Sequence, residues 1–459
     1  MIRRRLLIAA LAASAALSAC VGGPTSSSRP AAEEFPPIVF VHGNGDSAAL
    51  WTTTLWRFES NGWPRERLHA VEFPYPQARD DDAVPQAGRS STEDQRQFLE
   101  AEIAKVIAAT GARQVVLMGN SRGGNAIRNF IQNDRGASVS HAILCGTPNH
   151  GVWANAASRP GNEFNGAGPF LTQLNSPKGP NGDEVTSGVK WMTIRSDRND
   201  KFAQPDGEWI GAKGTPTGVS FDGPALKGAQ NIVLPERDHR ETAYHAQAFA
   251  VAYRFITGRD AALTEARPED RVVLDGKVTG LTAAGPTNLP LVGARLVVYT
   301  IDPVSGGRRG AALLARLLGE DGRWGPLQTD AGTRLEFEIT APGFATTHIY
   351  RSPFARSSSI VNLRPERLLD ADREAAAVAL FTRPRGYFGL PRDQTVFDGK
   401  SPAPGIPTGV AAVASSRLRL AESDRSVVGQ FKSGAIDERV VAWLWPARSG
   451  HLSVLELHH

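Results

Sequence analysis

Gly119-Asn120-Ser121-Arg122-Gly123 follows the apolar run Gln114-Val115-Val116-Leu117-Met118 directly and opens a helical stretch from Arg122 to about Asn133. A chain that passes from buried strand to helix within one residue must place that residue on a sharp, strained bend. The flanking positions need glycine because a side chain there would strike the neighbouring strand or helix, and Gly124 adds room. The bend exposes the Ser121 hydroxyl at a helix N-terminus, where developing negative charge is favoured. Ser121 is therefore the candidate nucleophile.

The surrounding pattern suits such a bend. Ile38-Val39-Phe40-Val41, a weaker Ala70-Val71-Glu72-Phe73, Ala142-Ile143-Leu144-Cys145, Trp191-Met192-Thr193-Ile194 and Ile232-Val233-Leu234 read as strands. Between them, Thr92 and Gln95 have capping-box spacing and open a helix with apolar Leu99, Ile103, Val106 and Ile107, ended by Gly111. A last helix is expected from about Glu241 to Ile256. Alternating strands and helices predict a mainly parallel sheet covered on both faces.

Serine needs a base, an acid and an oxyanion hole. His42-Gly43-Asn44-Gly45 follows the first strand and fits the last of these. The main-chain N–H groups of Asn44 and Arg122 are the expected donors, with His42 bracing the loop. His239, after the last strand, is the favoured base by chain order. His245 is the alternative base, though it falls within the expected helix. His69, His141 and His150 precede the acid, and His348, His451, His458 and His459 lie beyond the region. The acid should follow Trp191–Ile194, where Asp197 and Asp200 both stand. Asp200 is favoured because the Asp-x-Phe step lets Phe202 tuck under the loop; Asp197, the alternative acid, would then bind loop backbone. Residues 149–190, with Trp153, Phe164, Phe170, Leu171 and Leu174, are either a well-packed loop or a cap over the nucleophile. No metal or organic cofactor is called for.

At 459 residues the chain exceeds one ordinary core. Residues 36–258 form the expected catalytic unit, 259–270 a charged linker, and 271–459 an all-β region, divided near 365–375. Its strand candidates are Leu296–Tyr299, Leu335–Ile339, Ile360–Leu363, Val440–Leu444 and Leu452–Leu455, with turns at Asp321-Gly322, Pro342-Gly343 and Asp398-Gly399. Ala311 to Leu318 is its one helical candidate. At the other end, Arg3, Arg4 and Arg5 precede the apolar run Leu6–Leu17, too short to span a bilayer. Leu17-Ser18-Ala19-Cys20 resembles the lipobox of bacterial lipoproteins, so residues 1–20 are expected to be a signal peptide and 21–35 a flexible tether. Export by the general or the twin-arginine route, and membrane attachment through a lipid anchor at Cys20, follow as expectations; otherwise the product is periplasmic or secreted. Loss of the three arginines lowers the formal charge from +4 to about +1, which gives no reason to expect a nucleic-acid partner. Cys145 is the other cysteine and is expected in the core.

Val41 to Gly45, Gly62-Trp63 to Val71, Gly119 to Gly123, Gly146-Thr147-Pro148-Asn149-His150-Gly151 and His239 to Tyr244 together resemble the small bacterial lipases of the triacylglycerol lipase class. The resemblance covers about residues 36–257 and implies the α/β-hydrolase fold. It carries the triad to Ser121, Asp200 and His239, with Asn44 and Arg122 as oxyanion donors. Two departures stand out: Asn120 replaces the family's usual histidine before the serine, and an acid loop longer by one residue keeps Asp197 in play. The layout is similar to bipartite lipases with a C-terminal β domain. Residues 272–363 resemble transthyretin-like modules, so a β-sandwich or barrel is expected there. The resemblance implies a serine carboxylic-ester hydrolase, a lipase or esterase acting through an acyl-enzyme on lipid or other hydrophobic esters. The alternatives are a polyhydroxyalkanoate-type polyester depolymerase, a non-catalytic surface-tethered binding protein on a hydrolase scaffold, and amide hydrolysis with the same triad.

Overall fold

The computed structural model describes residues 35–459; the expected signal peptide, tether and Cys20 anchor lie outside the described residues. The first part of the chain builds β1 (Ile38–Val41), α1 (Thr52–Ser60), β2 (Leu68–Ala70), α2 (Thr92–Thr110), β3 (Val115–Asn120), α3 (Arg122–Asp134) and β4 (Val139–Cys145). It continues with α4 (Pro169–Leu174), β5 (Lys190–Ser196), β6 (Gln230–Leu234), α5 (Glu241–Tyr244) and α6 (Ala246–Thr257). All six strands pair in parallel, in the order β2-β1-β3-β4-β5-β6. This is the α/β-hydrolase arrangement.

Both sheet faces are buried, and successive residues of a strand serve opposite faces. Ile38, Phe40, Val116 and Met118 pack with Trp51, Phe58, Phe249 and Tyr253 on the α1/α6 side. Val39, Val41, Val115 and Leu117 pack with Leu99, Ile103, Ile127 and Phe130 on the α2/α3 side. Each such side chain contributes about 1.5–3 kcal/mol by leaving water. The C-terminal ends of β1, β3, β5 and β6 thus become a rigid platform for the loops that follow them. Cys145 is fully buried at the end of β4, and burial pushes its thiol pKa up.

Beyond α6 the described chain is β-rich. A seven-stranded sheet has the order Arg308–Leu317, Arg295–Ile301, Leu335–Thr340, Thr346–Arg351, His451–Glu456, Ala377–Thr382 and Ser415–Leu420. The last strand of the chain, His451–Glu456, lies parallel to both its neighbours. One sheet therefore runs through both sides of residues 365–375. Two apolar cores flank it, one around Trp324 and Phe337, the other around Phe381, Phe397 and Phe431.

Four local expectations are corrected. Ala311 to Leu318 is not helical: Arg308–Leu317 is an edge strand, paired with Arg295–Ile301 around the turn that Asp302 caps. The Ala/Leu/Arg composition favours helix locally, but the inter-strand ladder overrides it. Ile360–Leu363 forms no strand of its own and only a bridge from Leu363 to Val278. The α2 capping box is one residue earlier than expected, between Ser91 and Asp94. The last helix is broken at His245, whose backbone is extended (φ −62°, ψ 152°) and whose Nδ1 accepts from Gln247 N–H to start α6.

Candidate active site

Ser121 sits between β3 and α3 with φ 54° and ψ −123°, a conformation that a non-glycine residue holds only under constraint. Its N–H donates to Cys145 O at 2.8 Å. The glycines explain how the bend is possible. A Cβ on Gly123 would lie 2.5 Å from the carbonyl oxygens of Val41 and His42, and one on Gly119 would lie 2.8 Å from the Gly123 backbone. A Cβ on Gly43 would meet Ser121 Cβ at 3.0 Å, so the loop after β1 lies against the serine.

That loop is held from below. Phe73 N–H donates to His42 Nε2 (3.1 Å), which leaves the proton on Nδ1 to donate to Gly43 O (3.0 Å). His42 is fully buried, and desolvation lowers its pKa, so it is a neutral brace. The Asn44 side chain is tied to Gln77 and Ala78. Among the described residues the main-chain N–H groups of Asn44 and Arg122 enter no turn, loop or cap hydrogen bond.

On the far side of the cleft, His239 Nδ1 and Asp200 Oδ2 are 2.8 Å apart. A carboxylate only accepts, so Nδ1 carries the proton and Nε2 is the free, basic nitrogen. His239 Nε2 is buried and has no partner among the described residues. Asp200 Oδ1 accepts from Phe202 N–H (2.8 Å), and the Phe202 ring packs edge-on against His239, 4.7 Å between centroids. Asp197 faces the other way: it accepts from Asn199 N–H and from Glu236 N–H (2.9 Å). His245 points into a separate cavity, with Nε2 3.0 Å from Arg237. Desolvation, with the nearby arginines, pushes its pKa down to about 4.

Ser121, Asn44 and His239 line one cleft of about 240 Å³ with Trp153, Phe164, Phe202, Trp209 and Tyr387. Within 149–190, Trp153 and Phe164 reach this cleft, while Leu171 and Leu174 are the buried residues of α4. A second cavity of about 400 Å³ shares Phe202 and His239 with it and extends past Thr147 and Phe221.

The side-chain contacts of Asn120 and Arg122 and the part taken by Tyr387 escape sequence reasoning. Asn120 Nδ2 donates to Cys145 O (3.0 Å) and His239 O (3.2 Å), joining the serine strand to the histidine loop. The Arg122 side chain is fully buried, bonded to Glu163, Ser90 and Pro76 O, and so pins the 76–90 and 163 segments beneath the cleft. Tyr387 comes from the β-rich region, and nothing local to it signals a role. Glu336, Glu338 and His348 form a metal-ligand-like cluster elsewhere, but the Arg308 guanidinium bonds both carboxylates and His348 bonds Glu336 at 2.7 Å.

Residues 36–187 match the family described as Lipase (class 2), and residues 270–368 match the Lipase C-terminal domain. The chain carries a class 2 lipase domain followed by a lipase C-terminal domain. It is a carboxylic-ester hydrolase of the lipase/esterase kind. Among solved structures it is similar to Bacillus licheniformis lipase BlEst2 in mature form, at 20% identity over 51% of this chain and 96% of that one, with a TM-score of 0.36. The propeptide form of the same lipase matches at 16% identity over 92% and 95% of the two chains, TM-score 0.37. Bacillus subtilis carboxylesterase CesB matches at 14% identity over 49% and 85%, TM-score 0.27.

Proposed function

We propose that the lipase domain hydrolyses hydrophobic carboxylic esters through a covalent acyl-enzyme on Ser121. The observation that carries this reading is the His239–Asp200 bond with His239 Nε2 left unpartnered in the cleft that Ser121 lines. His239 Nε2 takes the Ser121 proton as Oγ attacks the ester carbonyl, then delivers it to the leaving alkoxide. Water, activated by the same nitrogen, releases the acid. Asp200 holds the imidazole in the required tautomer and stabilises the imidazolium. The N–H groups of Asn44 and Arg122 receive the oxyanion, each lowering the barrier by about 3 kcal/mol.

The cleft and the adjoining cavity of about 400 Å³, which share Phe202 and His239, together offer apolar and aromatic surface to a hydrophobic acyl group. In this reading residues 36–258 are the catalytic unit, 259–270 the connection and 271–459 its β-rich companion. Export and attachment through Cys20 complete the proposal on sequence grounds alone. Turnover of p-nitrophenyl esters of graded length tests it. Activity on these esters that is absent in Ser121→Ala is expected; unchanged activity in Ser121→Ala would end the proposal.

A further inference from the structure

The two loops that carry Asp200 and His239 meet again on one ring of the β-rich region, which also borders the cleft. Tyr387 lies in the loop between strands Ala377–Thr382 and Gln394–Phe397 and is almost fully buried. One face takes the Lys201 ammonium, 3.9 Å from the ring centre, and Lys201 is the neighbour of Asp200. The ring also takes the Arg240 guanidinium at 5.0 Å, and Arg240 is the neighbour of His239. Each cation has a further anchor: Lys201 Nζ donates to Ala412 O (2.9 Å), and Arg240 donates to Pro384 O (2.7 Å) and pairs with Asp46 of the loop after β1 at 3.2 Å. The Tyr387 backbone is fixed as well. Its N–H donates to Asp238 Oδ2 (2.8 Å), and its carbonyl accepts from Arg383 (2.6 Å) and Arg392 (2.8 Å).

Arg383 is fully buried, and its guanidinium bonds Asp238 at 2.8 Å, Glu241 and the Tyr244 hydroxyl at 2.8 Å. Arg392 adds a bond to Glu241 Oε2 at 2.8 Å. His239 is therefore bracketed in sequence by Asp238 and Arg240, both gripped from the β-rich region. The Asp200–His239 bond tolerates little displacement, since a misplacement of about 1 Å can cost about 100-fold in rate.

We propose that Tyr387 and Arg383 are positioning residues, by which the β-rich region clamps the Asp200 and His239 loops into register for proton transfer. This rests on the reading of Ser121, Asp200 and His239 given above. The β-rich region then acts on the chemical step, beyond covering the lipase domain.

The test uses the full chain, p-nitrophenyl butyrate and four variants. Tyr387→Leu, which removes the ring, is expected to lower kcat about 10- to 100-fold, a larger factor than any rise in KM from its place in the cleft lining. Tyr387→Phe, which keeps both cation–ring contacts, is expected to recover at least about a third of wild-type kcat. Lys201→Met, which loosens only the acid-loop side, is expected to lower kcat about 3- to 10-fold, and it carries the test should Tyr387→Leu fail to fold. A folded Tyr387→Leu or Lys201→Met with kcat within twofold of wild type would overturn the clamp. A Tyr387→Phe as impaired as Tyr387→Leu would overturn it too. Ser121→Ala separates the two levels. If it stays active, the reading of the site fails first; if it is inactive while the clamp variants are unimpaired, only the clamp fails.

Discussion

Two of the seams where the lipase domain meets the β-rich region differ in chemistry. At the first, Trp56 of α1 leaves its own domain's core and joins Val272, Trp324, Phe337 and Phe354 in that of the β-rich region. Its Nε1 donates to Ser357 O at 3.0 Å, and beside this apolar contact Glu59 and Arg356 form an ion pair at 2.9 Å that is largely out of solvent. At the second, beside the cleft, the interior itself is charged: Arg383, Arg392, Asp238 and Glu241 are buried together. Desolvation and the Glu241 charge raise the Asp238 pKa, while Arg392 and Arg383 hold Glu241 far below the usual carboxylate range. An apolar seam gives adhesion and tolerates sliding. A buried ion network is a poor source of net stability but fixes geometry, because any displaced partner is left as an unpaired buried charge. The contrast teaches that the seam built for precision is the one beside His239.

Substitutions that break or sharpen this contrast fall in a clear order. The largest effect is expected on the acid loop facing the charged seam. Asp200→Asn should lower kcat by about 10³- to 10⁴-fold by presenting the wrong imidazole tautomer. Asp197→Asn, which loses only loop hydrogen bonds, should cost less than about tenfold; steady-state kinetics on both reads the difference, and a reversed order would move the acid to Asp197. Next comes the network itself. Arg383→Met leaves Asp238 and Glu241 without their main cation and should cost about 3–5 kcal/mol of stability together with kcat. Denaturant melts and kinetics on the same sample would show both losses.

Trp56→Leu should cost about 2–4 kcal/mol through the cavity it leaves, with kcat within about twofold of wild type. A kcat loss as large as that of Tyr387→Leu would erase the distinction between the seams. The smallest effect is expected at Glu72, which accepts from Ala48 N–H (3.1 Å) and from Asn362 across the interface. Burial pushes its pKa up to about 7. The folded state therefore binds the proton more tightly than the unfolded chain, and stability falls as pH rises from about 4.5 to 7. The wild-type Tm should therefore fall more steeply between about pH 4.5 and 7 than that of Glu72→Gln, which cannot titrate there, as scanning calorimetry can read.

The strained serine and the loop after β1 were legible because their determinants are local. Gly119, Gly123 and Gly43 are required by backbone approaches within a few residues of Ser121 or on the adjacent strand. The Asp-x-Phe step that favours Asp200 over Asp197 is also local, and the Phe202 ring lies edge-on to His239. The clamp was illegible because Arg383 and Asp238 stand 145 residues apart, with no spacing or periodicity to link them. Asn120 illustrates a middle case. Its position before the serine was conspicuous, but its two acceptors lie in other loops. The Arg308–Leu317 edge strand was missed for a related reason: its partner strand, not its own composition, sets its conformation.

Mass-spectrometric mapping of a fluorophosphonate adduct tests the central claim most directly. The account predicts one stoichiometric adduct, on the peptide containing Ser121, formed in step with loss of esterase activity and absent in His239→Ala on the same time scale. An adduct on any other residue, or full inactivation with Ser121 unmodified, would contradict it.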